Sequence, residues 1–425
     1  MSIPDEASGV PATGAGSRDA SLVAHEVRRG LADQLEDGPL KRELLGDPPA
    51  QPPVPAPAFR ARLSFDGQGA EYFRIWVVNL LLTLLTLGAY SAWAKVRKAR
   101  WFAQHTSLLG DRFDYHGDPW RILAGRVLAL GLLAAWTWSF DLSPWFGWAV
   151  FGVLLVAGPV LFAGAQRFKL ANTSWRGLRF GFQAPKLEVY QVCVPLLVVW
   201  TLGTALGHAG APENWVMWSS LLLALLLPWA HARLKRLQHA RASFGARAFS
   251  FEPAGTAFYG LYAKALVLTI AGGVVVILAI AVIAVGGQDF RRGAEGVGSS
   301  SAWFSLLSGV AMVFVVWLSA WPYFAARAQQ IVWGHTRLAG GIGFAGQMRG
   351  ATLWKLVVGQ TLLTLLTAGL YWPFAAVAIA RYRIESVEVV GDVPLTEIQV
   401  DAASSAAGRA TGDAAAEMFG LDLGW

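Results

Sequence analysis

The chain has 425 residues, of which 55% are hydrophobic and only 15% are charged, and its mean hydropathy is +0.43. An ordinary soluble domain is about a quarter charged, so the composition argues against a soluble globular protein and indicates an integral membrane protein. The single cysteine, Cys193, excludes a disulfide or a cysteine-based metal site within one chain.

The two ends of the chain differ in composition from its centre. Residues 1–58 contain acids and a proline-rich stretch, and we expect a disordered acidic tail there. Residues 393–425 are Ala-rich and acidic, and we expect a second disordered tail. Between the tails, residues 61–384 carry 28 Lys and Arg against 11 Asp and Glu, a net charge of +17. The predicted membrane domain, residues 59–392, is therefore strongly basic.

Apolar runs of roughly 17 to 25 residues, the length that crosses about 30 Å of hydrocarbon, recur along this domain. Candidate spans lie near 75–93, 122–140, 145–165, 190–208, 215–230, 262–286, 303–326 and 353–380. The long connections on one side carry 19 Lys and Arg, and the short ones on the other side carry two. Because excess Lys and Arg marks the cytoplasmic face, we expect the long connections in the cytoplasm. The predicted fold class is an all-α integral membrane protein, a polytopic helical bundle of six to eight transmembrane segments.

Each long connection ends in a short aromatic alternation that follows a glycine. Phe113 with Tyr115 is one instance, and the later connections repeat it as Phe180 with Phe182 and Phe249 with Phe251. A period of two is typical of a β-strand. Similar runs flank the domain at 63–67 and 386–392. We therefore expect short cytoplasmic β-strands in the loops beneath the helical bundle.

One ten-residue phrase occurs twice, as LLTLLTLGAY at 81–90 and LLTLLTAGLY at 362–371, with eight positions identical. If both copies crossed the membrane, near-identical sequences would run in opposite directions, as in inverted repeats. Alternatively, six segments span and the two copies enter the membrane and turn near Gly88 and Gly369. Such turns are tolerated where protein or a cavity surrounds them. The basic end of the second copy favours the re-entrant alternative.

Polar and aromatic side chains occupy matching places in both copies. Asn79 corresponds to Gln360, and threonines follow on the neighbouring turns at Thr83, Thr86, Thr364 and Thr367. Such residues line a polar path or hydrogen-bond one helix to another, and the lack of accompanying charge favours packing. Gly88 and Gly369 allow a helix break, and Tyr90 and Tyr371 are predicted to anchor at headgroup level.

Charged residues inside the predicted spans are few. Arg126 and Lys264 lie about one turn inside, where they either bind an anion or a lipid phosphate or extend to the interface. Asp and Glu are essentially absent from the spans. Proton-coupled carriers usually keep a carboxylate within the membrane, so the sequence argues against a proton relay.

Three motifs together resemble a known family. They are F-x-G-x-G-x-E-Y-F from Phe65, T-L-G-x-Y-x-x-W-A from Thr86 and F-x-Y-x-G from Phe113. The combination, over roughly residues 60–392, resembles the YjgN family of bacterial inner-membrane proteins, whose function is unknown. The closing copy departs from the pattern, with Ala368 in place of Leu87 and Phe374 in place of Trp93. The resemblance implies a multi-pass inner-membrane protein and supplies no activity and no catalytic residues.

The sequence lacks G-x-S-x-G, Walker A and H-E-x-x-H motifs. We therefore expect no enzyme activity, no cofactor and no metal site. Basic loops that alternate with membrane spans are better interpreted as an interfacial layer than as a nucleic-acid site, so the expected partners are the bilayer and its anionic lipids. Two function classes are compatible with these features. One is a transporter or channel-like carrier, and the other is a non-enzymatic membrane scaffold or lipid-interacting protein.

Overall fold

A computed structural model describes residues 59–208, 210, 212–291 and 300–391. Along this part of the chain the order strand, helix, helix, strand recurs five times, and we call each set a unit. The tails predicted at 1–58 and 393–425 lie outside the described residues.

The first two units differ mainly in the lengths of their helices. Unit 1 contains β1 (Phe59–Phe65), α1 (Gly69–Leu85), α2 (Ser91–Gln104) and β2 (Thr106–Leu108). Unit 2 contains β3 (Asp111–Tyr115), α3 (Pro119–Leu142), α4 (Pro144–Ala171) and β4 (Thr173–Trp175).

The remaining units repeat the same order. Unit 3 contains β5 (Leu178–Phe182), α5 (Lys186–His208), α6 (Glu213–Ala240) and β6 (Ala242–Phe244). Unit 4 contains β7 (Arg247–Phe251), α7 (Gly255–Arg291), α8 (Ser300–Gly334) and β8 (Thr336–Leu338). Unit 5 contains β9 (Ile342–Gly346), α9 (Gly350–Leu366), α10 (Trp372–Glu385) and β10 (Val387–Gly391).

The ten described strands form one closed antiparallel barrel. Within each unit the two strands pair with each other, so that Leu63 of β1 faces Leu108 of β2. Short turns join the last strand of one unit to the first strand of the next. The barrel closes where β1 pairs with β10, with Ala61 opposite Val389. Each helix pair therefore leaves the barrel and returns to it.

The barrel interior is filled with apolar side chains. Seven buried residues form one cluster, namely Ala61, Leu108, Trp175, Phe244, Leu338, Ile342 and Val389. The strands not represented in that list add partly buried side chains to the same cluster, including Phe113, Phe180 and Phe249. Because side chains from every strand meet in one cluster, the barrel holds a close-packed core. It does not enclose an open channel.

One backbone hydrogen bond recurs in all five units and fastens the base of each helix pair. The amide that follows the first strand donates to the carbonyl that precedes the last strand. The five bonds are Asp66 to His105 (3.1 Å), His116 to Asn172 (2.8 Å), Gln183 to Arg241 (2.9 Å), Glu252 to His335 (2.9 Å) and Gln347 to Ser386 (2.7 Å). They satisfy amides and carbonyls that would otherwise be unpaired where strands and helices meet.

The predicted all-α bundle with six to eight spans is wrong. The short strands predicted in the loops are present, but they pair with one another into the closed barrel instead of forming separate loop elements. In the described part of the chain, four helical stretches are long and apolar enough to cross a membrane by length and composition. They are Pro119–Leu142, Pro144–Ala171, Lys186–Gly203 and Gly255–Leu278.

Neither of the stretches at 75–93 and 353–380 is one continuous helix. Each is a pair of shorter helices, with a turn near Gly88 or Gly369 where the re-entrant alternative places it. A five-residue turn separates α1 from α2, and the equivalent turn separates α9 from α10. Gly88 and Gly369 both have a φ of 93° in these turns. An L-residue rarely adopts this conformation, so the glycines allow the chain to reverse.

Replacing Gly88 with alanine is expected to lower the melting temperature of the detergent-solubilised protein. No atom lies within 4 Å of the added Cβ, so the cost is conformational, about 1–2 kcal/mol for the left-handed backbone. Gly131 is the matched control, because an added Cβ in helix α3 also meets open space. Gly131→Ala should raise the melting temperature, since alanine is favoured in a helix by roughly 0.5–1 kcal/mol. Equal shifts in the two variants would contradict the assigned turn.

Candidate functional site

The helix pairs of units 1 and 5, which we call the short hairpins, lie side by side where the barrel closes. The Phe73 ring lies 5.7 Å from the Phe374 ring. Around this contact a cluster joins Tyr72 of α1, Trp101 of α2 and Val377 of α10. The two short hairpins therefore pack against each other through α1 and α10.

The ends of the short hairpins expose leucine. Leu85 is 80% exposed and its counterpart Leu366 is 82% exposed, while Leu87 in the turn is 98% exposed. Further exposed apolar side chains near these ends are Leu81, Leu84, Leu362, Leu365, Leu370 and Trp372. Exposed apolar side chains clustered in this way at each hairpin end mark contact with a membrane or with another protein.

In unit 1, a polar contact between the two helices defines where the apolar end of the hairpin begins. Arg97 of α2 donates to the Asn79 side-chain oxygen of α1 at 3.4 Å, and Asn79 is buried. From Asn79 to Leu85 the helix rises about 9 Å at about 1.5 Å per residue. That distance is less than half of the roughly 30 Å thickness of the hydrocarbon core.

Unit 5 has no cation at the position equivalent to Arg97. Ala378 occupies the position equivalent to Arg97, and the Gln360 side-chain oxygen is buried with no hydrogen-bond partner among the described residues. No hydrogen bond in this part of the chain joins Gln360 to Asn79. The two amides predicted as a pair thus occupy separate environments.

The threonines of the short hairpins bond to their own helices. Thr83 donates to the Asn79 carbonyl at 2.6 Å, and Thr364 donates to the Gln360 carbonyl at 2.7 Å. Nearer the tips, the Thr86 hydroxyl accepts from the Tyr90 amide at 2.9 Å. The Thr367 hydroxyl accepts from the Tyr371 amide at 3.0 Å in the same way. These hydroxyls stabilise the helix ends and turns, as side-chain caps do.

The two predicted cationic contacts differ from each other. Arg126 donates to the Ser91 hydroxyl at 2.5 Å and so links α3 to the start of α2, next to the hairpin turn. Lys264 is exposed on α7. The structure therefore gives Arg126 a contact between helices and leaves Lys264 on the surface.

Comparison with known proteins shows which family this chain belongs to. The family model described as "Bacterial protein of unknown function (DUF898)" matches residues 60–418. "Inner membrane protein YjgN" of Salmonella typhimurium is 30% identical over 145 residues, 32% of this chain and 35% of that protein. The proteins of the same name from Escherichia coli O157:H7 and K12 are 31% identical over 177 residues and 32% identical over 149 residues. The chain belongs to the YjgN family.

Membership confirms the predicted location, so this YjgN-family chain is an inner-membrane protein. The Escherichia coli matches cover 38% and 33% of this chain, and 43% and 36% of those proteins. The chain therefore aligns with less than half the length of each of these curated relatives. No solved structure matches the chain.

A buried polar row on α6 of the YjgN-family chain was missed by the sequence analysis. His231, Lys235, Gln238 and His239 are all buried and recur at the spacing of one helix face. The His239 ring is hydrogen-bonded to the Thr336 hydroxyl at 3.1 Å. The helical spacing was the available signal, but these residues lie in a stretch that the charge count assigned to a cytoplasmic loop.

The stability of this YjgN-family protein is expected to fall as the pH decreases from 6.5 towards 3. Burial, aided by the charges of Lys235 and Lys169, lowers the pKa of His239 from 6.5 to about 3. The unfolded chain therefore binds a proton that the folded chain excludes, and protonation favours unfolding throughout this window.

In the His239→Gln variant, the loss of unfolding free energy between pH 6.5 and 5.5 should be about 1 kcal/mol smaller than in the wild type. Most carboxylates titrate only below this pH range. Thermal unfolding measured at each pH tests this, and His116→Gln, a partly exposed histidine, is the control. An unchanged slope in the His239 variant would contradict the assignment.

Proposed function

We propose that this protein is a non-enzymatic membrane scaffold that interacts with anionic lipids. The barrel would lie at the cytoplasmic face, and the short hairpins would be embedded in the adjacent leaflet. The observation that carries the proposal is the exposure of leucines at the ends of both short hairpins, among them Leu85, Leu87 and Leu366. Exposed leucines of this number are costly in water and favourable in hydrocarbon.

The orientation is supported by charge. The stretches that form the barrel and the bases of the helices are those that carry 19 Lys and Arg, against two on the opposite side. Such an excess favours the cytoplasmic face. A basic layer at that face attracts anionic headgroups by about 1 kcal/mol per Lys or Arg.

The polar residues near the hairpins support packing over transport. The hydroxyls of Thr83 and Thr364 donate to carbonyls of their own helices, and the Asn79 side-chain oxygen accepts from Arg97. The barrel itself is filled with apolar side chains. These contacts leave the short hairpins without a continuous polar lining among the described residues.

The position of the hairpin ends is tested by attaching a nitroxide label to single cysteines in a Cys193→Ser background. Leu87 and Leu109 make a matched pair, because both are exposed leucines with positive φ in turns. A label at Leu87→Cys should collide with oxygen dissolved in the bilayer. A label at Leu109→Cys, in the barrel turn between β2 and β3, should collide with a water-soluble nickel reagent. Water accessibility at both positions would overturn the embedding.

The lipid interaction is tested separately by native mass spectrometry of the full chain. We expect the protein released from mixed bilayers to retain phosphatidylglycerol or cardiolipin over phosphatidylcholine. Retention without preference for charge would contradict the proposed interaction with anionic lipids.

A transporter-like role is the second candidate, and the buried polar row on α6 favours it. The His231 Nε2 and Gln238 Oε1 atoms are buried without hydrogen-bond partners among the described residues. Buried polar atoms in that state normally require water or an ion. Reconstituted vesicles containing wild type or Gln238→Leu would be screened for ion flux. Flux in the wild type that the variant abolishes would favour transport, and equal behaviour would remove this support.

A further inference from the structure

A pocket of about 350 Å³ lies between the start of α5 and the last turns of α6. Two exposed cations, Arg233 and Arg236, contribute to its wall, together with Gln191 of α5. Leu187 and Val192 supply apolar surface. We call this cavity the α5–α6 pocket.

The charge of the α5–α6 pocket is positive because its one carboxylate is already paired. Glu188 accepts from Arg241 at 2.7 Å. The Arg233 guanidinium lies 5.4 Å from the centre of the Trp229 ring, which restricts where it points. Two guanidinium groups then remain to meet an anion, and guanidinium binds phosphate oxygens through paired hydrogen bonds.

Comparison between units shows that Arg236 is used differently from its counterparts in units 1, 4 and 5. Six residues before the last strand, units 1, 4 and 5 carry Arg100, Gln330 and Arg381. Each donates to a backbone carbonyl near the start of the next helix pair: Arg100 to Tyr115 (3.2 Å), Gln330 to Met348 (2.6 Å) and Arg381 to Gly67 (2.8 Å). Arg236 occupies the same place in unit 3 and makes no hydrogen bond or ion pair with the described residues. Its side chain instead lines the α5–α6 pocket.

The level of the pocket matches that of a lipid headgroup. Gln191 lies in the second turn of α5, whose apolar stretch Lys186–Gly203 is long enough to cross a membrane. Arg236 lies six residues before strand β6, or about 9 Å along the helix axis. The pocket therefore sits between the barrel and the apolar part of the helices. Basic pockets between helices at this level are suited to anionic headgroups.

We infer that the α5–α6 pocket binds the phosphate group of an anionic phospholipid, with Arg233 and Arg236 contacting the phosphate oxygens and Gln191 donating from its amide. Leu187 and Val192 contact the apolar part of the same lipid. The inference rests on the proposed lipid interaction and gives it a defined site.

The experiment compares the full-length wild type with Arg233→Gln/Arg236→Gln and with Arg167→Gln. Arg167 is the matched control, because it holds the same place in unit 2, is exposed, and makes no hydrogen bond or ion pair with the described residues. Thermal stability in zwitterionic detergent is measured during titration with phosphatidylglycerol. Because hydrogen bonds to charged groups are strong, we expect the double variant to bind at least about tenfold more weakly. The control should remain within about twofold of the wild type.

The separate outcomes identify which claim fails. Equal phosphatidylglycerol affinity in the double variant and the wild type would overturn the pocket while leaving the lipid interaction intact. A wild type that binds no anionic lipid would overturn both. A parallel titration with inorganic phosphate separates the two sources of the group. Stabilisation by millimolar phosphate with none by phosphatidylglycerol would overturn the assignment to a lipid. Equal melting temperatures of all three proteins without lipid show that the variants fold.

Discussion

Replacing Trp175 with alanine is expected to destabilise the protein by about 3–5 kcal/mol, the usual cost of truncating a buried Trp. Trp175 is 4% exposed within the barrel core. Its ring lies 6.0 Å from the Phe113 ring of β3 and 5.6 Å from the Phe244 ring of β6. Its indole nitrogen donates to the Asp111 carbonyl at 3.1 Å. The substitution removes packing between units 2 and 3 and also leaves a carbonyl short of a partner.

Trp145→Ala is the control for this experiment, because Trp145 is 86% exposed at the start of α4. An exposed side chain away from special contacts usually changes stability by no more than about 0.5 kcal/mol. The free energy of unfolding would be measured by titration of detergent micelles with SDS. A loss at Trp175 no larger than that at Trp145 would contradict a close-packed barrel interior.

The helices were largely predictable from the sequence, and the barrel was not. Long apolar runs such as 122–140 and 145–165 correspond to α3 and α4. The strands were predictable one at a time from alternations such as Phe113 with Tyr115. The pairing of the strands was not predictable, because strands of three to seven residues carry too little pattern to specify their partners. Residues of adjacent strands, such as Ala61 and Val389, are also separated by almost the whole domain.

The reversal at Gly88 and Gly369 could be located from the sequence, because a glycine inside an apolar repeat permits positive φ. The environments of the neighbouring polar residues could not be predicted from the sequence. Asn79 and Gln360 occupy equivalent positions, yet only Asn79 has a cation across the hairpin, since Arg97 is replaced by Ala378. A match within one helix therefore says little about the side chains that face it from the next.

The α5–α6 pocket and the hairpin ends lie at different levels of the same domain. The hairpin ends are apolar and distant from the barrel, while Arg233 and Arg236 lie close to it. A bilayer presents the same sequence of environments, with charged headgroups outside and hydrocarbon within. The basic pocket and the apolar hairpin ends are both consistent with a membrane surface near the bases of the helices. Measuring whether the hairpins insert into the bilayer therefore tests this arrangement directly.

Introducing lysine at both hairpin ends, as Leu85→Lys with Leu366→Lys, is expected to displace the short hairpins from the leaflet. The two positions are equivalent in the repeat and are 80% and 82% exposed, so the change disturbs little internal packing. A lysine in hydrocarbon costs up to about 3 kcal/mol, and long side chains recover part of this by extending to the interface. A nitroxide label at Leu87→Cys should then lose oxygen accessibility and gain nickel accessibility.

The control for the lysine variants places the same charge on the barrel, as Leu109→Lys, where water is the expected surrounding. This change should leave the label at Leu87→Cys as deep as in the unmodified background. Melting temperatures in detergent should be similar for all variants, because the lysines face outward and micelles adapt to them. A label that stays equally deep after both hairpin ends are charged would mean that protein, not lipid, covers the leucines. The exposed leucines would then be explained by contact with a second protein, and the proposed embedding of the hairpins in lipid would be wrong.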